Sequence, residues 1–163
     1  MTKALLSEKM IRFYHGNHHD VEHFLKVHAY AALIGQLEAL PDDLQKTLEM
    51  AAIVHDIACP LCRQKYGNAA GSLQEKESEA LLRPVLSEFA IDAQRLERVI
   101  WLVCHHHTTD PVDGVDHRIL LEADFLVNAS EGQLPADTIR AFRDKVFRTA
   151  AGMRLLAEIY PEV

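Results

Sequence analysis

The sequence predicts an all-α domain, and three observations carry that reading. Apolar residues recur at steps of three and four along most of the chain, few windows alternate with the period of a strand, and the breaks between periodic segments fall at Pro, Gly, Asn and Asp. Within this pattern the apolar run Ala51-Ala52-Ile53-Val54 ends in the doublet His55-Asp56. A buried imidazole beside a buried carboxylate costs free energy unless a partner satisfies both groups, and a divalent metal ion does so.

A first helix is expected from about Lys3 to Phe13, with Leu5, Leu6, Met10, Ile11 and Phe13 on its apolar side. The His15-Gly16-Asn17 break follows, and Asp20 is the expected N-cap of a second helix over about Val21 to Leu40. There His23, Val27, Tyr30, Ala31 and Ile34 step by three and four, which puts His23 on the inward stripe. His28 points away from it, while His19 would share its face in a helix that begins early.

Pro41-Asp42-Asp43 starts a third helix whose inward residues progress to His55 and Asp56, and Cys59-Pro60 is read as its stop. From Leu61 to Ser72 no period is seen, so the segment is expected to be a loop covering the substrate. Ser72 with Glu75 makes a capping-box pattern for a fourth helix to about Glu88, with a kink or break at Pro84.

Asp92 caps a fifth helix with the stripe Leu96, Val99, Ile100 and Val103. Its phase reaches His106 and His107 and leaves His105 on the other side with Trp101. After a turn-rich loop at Thr108 to Gly114, a sixth helix over about Asp116 to Ser130 is apolar nearly all round and contains Asp124. A last helical region spans about Ala136 to Tyr160, with Gly152 as a weak point.

Size and composition fit one domain over residues 1–163, with 48% hydrophobic and 25% charged residues. A formal charge of −7 gives general nucleic-acid binding no electrostatic support. The absence of any apolar run of membrane-spanning length, together with three cysteines, an odd and sparse set, leads to the expectation of a cytoplasmic protein without a disulfide framework. Trp101, outward on its helix, is a weak sign of a homo-oligomer contact.

Taken singly, an inward histidine is more often a satisfied core group than a ligand. As a set, His23, His55, Asp56, His106, His107 and Asp124 lie on inward faces of four separate helices, which is how bundles build metal sites. Imidazole and carboxylate together suit manganese, iron, cobalt, nickel or zinc, as one ion or two.

The order His…His-Asp…His…Asp resembles the HD-domain superfamily of metal-dependent phosphohydrolases, nearest to its small bacterial single-domain members. The segments His23-Phe24-Leu25-Lys26-Val27, Ile53-Val54-His55-Asp56-Ile57 and Leu121-Glu122-Ala123-Asp124-Phe125 are similar to three of its motifs. The resemblance covers residues 20 to about 130, leaving the first helix and the helices over 135–160 outside it, and implies an HD-domain helical bundle. It also implies a first metal site of His23, His55, Asp56 and Asp124, in which Asp56 bridges two metals or orients the attacking water.

Subfamilies that hydrolyse dinucleoside polyphosphates or cleave cyclic dinucleotides add histidines for a second metal, and His105-His106-His107-Thr108-Thr109 is similar to that segment. Phase favours His106 and His107, and Glu75 stands where a further family histidine is expected. Relatives follow the His-Asp pair with Gly and a phosphate-binding Lys. Here Ala58-Cys59 stand in that place, and Arg63 or Lys65 would supply the charge.

The implied activity is hydrolysis of a nucleotide or another small phosphorylated metabolite. One rival is a non-catalytic HD module that binds a nucleotide or a partner. Another is a thiol or zinc role for Cys59-Pro60-Leu61-Cys62, which lacks both a second C-x-x-C and a βαβ setting.

Overall fold

Helical periodicity is realised along the whole chain. The computed structural model describes residues 2–163, and among these residues there are nine α-helices and no strand. The helix α1 spans Thr2–Tyr14 and buries Leu6, Met10 and Tyr14, spaced by four. Leu5, Ile11 and Phe13, expected inside, are exposed, because the buried stripe runs one residue beyond Phe13 to Tyr14. Asn17 rather than Asp20 caps α2, His18–Leu37: its side chain accepts the Asp20 N–H at 3.2 Å. Asp20 therefore lies inside the first turn, with its carboxylate buried.

The helix α3, Asp42–Val54, follows Pro41 and is buried along its whole second half. Cys59-Pro60 does not stop it. The chain turns at residues 55–58, and Cys59-Pro60 opens α4, Cys59–Tyr66, where Pro in the first turn forfeits no intrahelical bond. The expected covering loop is thus largely helical, closed by Gly67 at φ +75°, and only residues 67–70 remain irregular.

The capping box at Ser72 and Glu75 is not formed either. Ala70 is the N-cap of α5, Gly71–Ser87, and Glu75 reaches across to another segment. Pro84 falls in the last turn of α5, which continues through it to Ser87.

Asp92 caps α6, Ala93–Val103, accepting the Arg95 N–H at 2.9 Å. After α7, Gly114–Glu131, come α8, Ala136–Val146, and α9, Ala150–Ile159, so the expected helical region over about Ala136 to Tyr160 breaks at residues 147–149 and not at Gly152. Glu122 explains the break. Fully buried on α7, it accepts the backbone N–H groups of Arg148 at 2.7 Å and Thr149 at 3.0 Å, drawing both amides out of any continuous helix. Gly152 is a close packing point in α9, where a Cβ would strike the Glu122 carboxylate.

The helices α2, α3 and α7 form the centre: α2 packs on both α3 and α7, and α3 also meets α6 and α1. Phe24, Ile34, Leu48, Ile53 and Ile119 are fully buried between them. Each such side chain contributes about 1.5–3 kcal/mol through removal from water. This apolar packing fixes the helices that carry the polar side chains described next. Trp101 is half-buried within the chain, stacked on His105 at 4.1 Å and covered by Arg98 at 4.7 Å.

Candidate metal centre

His23 projects from the second turn of α2, and Asp124 from the middle of α7. His55 and Asp56 occupy the turn that begins where α3 ends, and His106 and His107 occupy the corresponding turn after α6. Expecting the histidine doublet on a continuing helix was incorrect, since α6 ends at Val103. His106 nevertheless arrives inside because its Nδ1–H donates to the Val103 carbonyl at 2.6 Å, one of the carbonyls a helix end leaves free.

The donor atoms converge. His23 Nε2 lies 3.2 Å from both His55 Nε2 and Asp124 Oδ1, and 3.4 Å from Asp56 Oδ2. His55 Nε2 is 3.5 Å from Asp124 Oδ1 and 3.6 Å from Asp56 Oδ1. On its far side Asp56 Oδ1 is 3.4 Å from His106 Nε2. Two donor groups of ion-holding size result, His23 with His55 and Asp56, and Asp56 with His106 and His107; Asp56 belongs to both.

Hydrogen bonds on the outer nitrogens fix the tautomers. His55 Nδ1–H donates to Ala52 O at 2.9 Å, and His23 Nδ1–H to Glu131 Oε2 at 2.8 Å. With His106 bonded to Val103, all three imidazoles turn Nε2 to the centre, where its lone pair becomes available to an ion once the proton is lost, as in a metal-ligating histidine held by an outer partner.

The residues fit a divalent cation on two observations. His106 Nε2 is buried without a hydrogen-bond partner among the described residues, and two nitrogen donors approach within 3.2 Å beside the buried carboxylate of Asp124 and the partly exposed one of Asp56.

The electrostatics agree. Burial opposes charge on His23, but the hydrogen bond to Asp124 and the charge of Asp56 outweigh it and raise its pKa to about 9. Burial likewise opposes ionisation of Asp56 and Asp124. Charge from His55 and His106 holds Asp56 below the usual carboxylate range, and hydrogen bonds from His23 and His55 do the same for Asp124. His107 moves the other way, to about 4, because its ring is desolvated against His106 and Gly71, although the residue keeps an exposed face, and because His106 adds like charge beside it.

Glu75 joins neither donor group. Its Oε1 accepts the His107 N–H and the Thr108 hydroxyl, each at 3.0 Å, so it ties α5 to the histidine turn. Gly71, at the start of α5, lies so close that a Cβ would come within 2.5 Å of the His107 ring. Arg63 pairs with the buried carboxylate of Asp20, and Lys65 pairs with Glu77 at 2.9 Å on an exposed face.

Cys59 and Cys62 are both buried. Burial first, then the Asp56 charge, pushes the Cys59 thiol up, the opposite of an activated thiolate.

Two residues at the site were missed from sequence. Glu131 stands seven residues after Asp124, two helical turns along the same face of α7, and that spacing was a readable signal. Tyr14 lies in α1, outside every recognised motif, and is 4% exposed with an unpartnered hydroxyl. Burial, and after it Asp56, Cys59 and Asp20, raise its pKa and keep the phenol protonated.

The family model for the HD domain matches residues 20–137. The chain belongs to the HD-domain family. No curated protein and no solved structure matches the chain significantly. Membership places this HD domain in a superfamily of metal-dependent phosphohydrolases, and its His and Asp groups are of a kind and spacing that hold a metal ion. No helix among the described residues is long and apolar enough to cross a membrane.

Proposed function

We propose that this HD domain is a metal-dependent phosphohydrolase acting on a nucleotide or another small phosphorylated metabolite. The observation that carries the reading is Asp56, whose two oxygens face His23 on one side and His55 and His106 on the other. His23, His55, Asp56 and Asp124 would hold a first ion, and Asp56, His106 and His107 a second, with Glu75 setting the position of the His107 turn. Manganese, iron, cobalt, nickel and zinc all suit these donors. When bound, such ions supply Lewis acidity, lowering the pKa of a water and offsetting phosphoryl charge.

The chain's own part is to hold and orient. Asp56 stays ionised at neutral pH and accepts a hydrogen bond from the attacking water, fixing its approach to phosphorus. The phenol of Tyr14, within the electrostatic reach of Asp56 and without a partner of its own, stays protonated and is a donor for bound substrate. Arg63 is the cation for the outer phosphoryl oxygens, exchanging part of its pairing with Asp20, while Lys65 adds long-range attraction.

The test is elemental analysis of purified protein beside an Asp56→Ala variant, followed by turnover of a phosphoester panel with added manganese. One or two equivalents of transition metal in the parent, lost in the variant, with product released only by the parent, is the expected result. Metal binding without any turnover sinks the hydrolase reading and leaves a binding module.

A further inference from the structure

One cavity opens directly against the candidate centre. Its volume is about 130 Å³, and His106, His107 and Asp124 form one side. The opposite walls are Leu121, Phe125 and Phe142, with Thr109 and Asn128 completing the lining. A larger cavity of about 440 Å³ shares no lining residue with the centre, and its arginines are already paired, Arg95 with Asp43 and Asp92, and Arg98 with Asp113 and Asp116. Any group ester-linked to a phosphoryl held at the centre therefore meets the smaller cavity first.

Size and wall chemistry then define that group. A dry cavity of about 150 Å³ lined by aliphatic and aromatic side chains takes one benzene ring, so about 130 Å³ admits a single five- or six-membered ring and no fused bicycle. Phe142 is stacked on Phe125 with centroids 3.7 Å apart and planes 3° from parallel, which stiffens one apolar wall. The Thr109 hydroxyl and the exposed Asn128 amide supply hydrogen bonds at the rim. A furanose matches both sides of this lining, with a C–H face for the aromatic wall and a hydroxyl edge for the amide.

We propose that this cavity is the leaving-group subsite, that the substrates are phosphate monoesters of single-ring sugars, and that Asn128 and Phe142 determine this specificity. The inference rests on the phosphohydrolase reading for the position of the phosphoryl group. In the reaction the water oxygen bonds to phosphorus while the bond from phosphorus to the sugar oxygen breaks. The sugar oxygen takes a proton and leaves as the free alcohol, and inorganic phosphate is the second product.

Ribose 5-phosphate and glycerol 3-phosphate, which present a ring and an open chain on the same phosphoryl group, separate the outcomes. Both are assayed for kcat/KM and for calorimetric binding with manganese-loaded parent, Asn128→Phe and Phe142→Leu. Asn128 is exposed on α7, so its replacement keeps the fold while a ring blocks the cavity mouth. The parent should prefer ribose 5-phosphate by about tenfold or more. Asn128→Phe should erase that preference by lowering ribose 5-phosphate far more than glycerol 3-phosphate, and Phe142→Leu should reduce it.

The same pattern in binding alone, with no turnover of either ester, would sink the hydrolase reading and keep the subsite. No ring preference in the parent by either readout, or an equal loss of both esters in Asn128→Phe, would overturn the subsite.

Discussion

The two sides of the candidate centre are built differently. His23, His55 and Asp124 are enclosed by α2, α3 and α7, at most 7% exposed. On the other side His106 is fully enclosed but His107 is exposed and rests against Gly71 of α5, and Glu75 is occupied by backbone and hydroxyl donors. The first side is held by the packed helices α2 and α7 with the buried turn after α3, the second by one turn and one carboxylate. Sites seated on packed helices hold tighter geometry than sites on turns, so the first side should bind an ion more firmly than the second.

The most severe way to break this contrast is to remove the group both sides share. Asp56→Ala should abolish stoichiometric metal and lower kcat/KM on the order of a thousandfold or more, read by elemental analysis and phosphate release. Retention of one full equivalent would show that the sides do not depend on a common carboxylate.

Next in size is Glu131→Gln, which weakens the outer anchor of His23 without touching a donor atom. Metal affinity by competition titration should fall about 10–100-fold, with the first equivalent affected and the second spared. A loss confined to the second equivalent would reverse the assignment of sides.

The pH dependence sharpens the same contrast. His23 is raised from about 6.5 to about 9, so in metal-free protein its contribution to stability is fully present below 6.5 and is lost as pH rises through 9. Chemical denaturation between pH 6 and 10 should show a decline of about 2–3 kcal/mol, absent in His23→Gln. Because an ion must displace that proton, affinity at the first side should climb by up to about tenfold per pH unit towards pH 9. At the second side His107, held near 4, has no proton to lose in that window, so only His106, which its contact with Asp56 raises against the cost of burial, contributes such a dependence there.

The smallest effect is expected from Gly71→Ala. Its Cβ would push the His107 ring, so the second equivalent should weaken severalfold while the first is unchanged, at a stability cost of about 1–3 kcal/mol by thermal unfolding. An unchanged second equivalent would show that His107 is not a donor.

What could be read from sequence divides along the same line. His23 and Asp124 sit inside helices whose apolar phase reports their facing, and both are buried at the centre. The histidine turn was harder, because periodicity carried a helix past Val103 and could not see the carbonyl that aims His106. Three further misses have tertiary causes. The break between α8 and α9 is set by Glu122, 26 residues before Arg148 in sequence, Asp20 is a buried partner of Arg63 rather than a cap, and Tyr14 reaches the site from a helix no motif covers. Pro60 was misread as a terminator when its place in the first turn makes it an initiator.

The outer bonds of the three imidazoles also set how mutation can reach them. His55 and His106 rest on the carbonyls of Ala52 and Val103, which every amino acid at those positions possesses. Their tautomers are therefore inherited from the course of the main chain and survive neutral drift in the neighbouring side chains. His23 is the exception, since its orientation depends on the single carboxylate of Glu131. A lineage losing activity by gradual substitution would be expected to lose it there first, with the His-Asp doublet still intact.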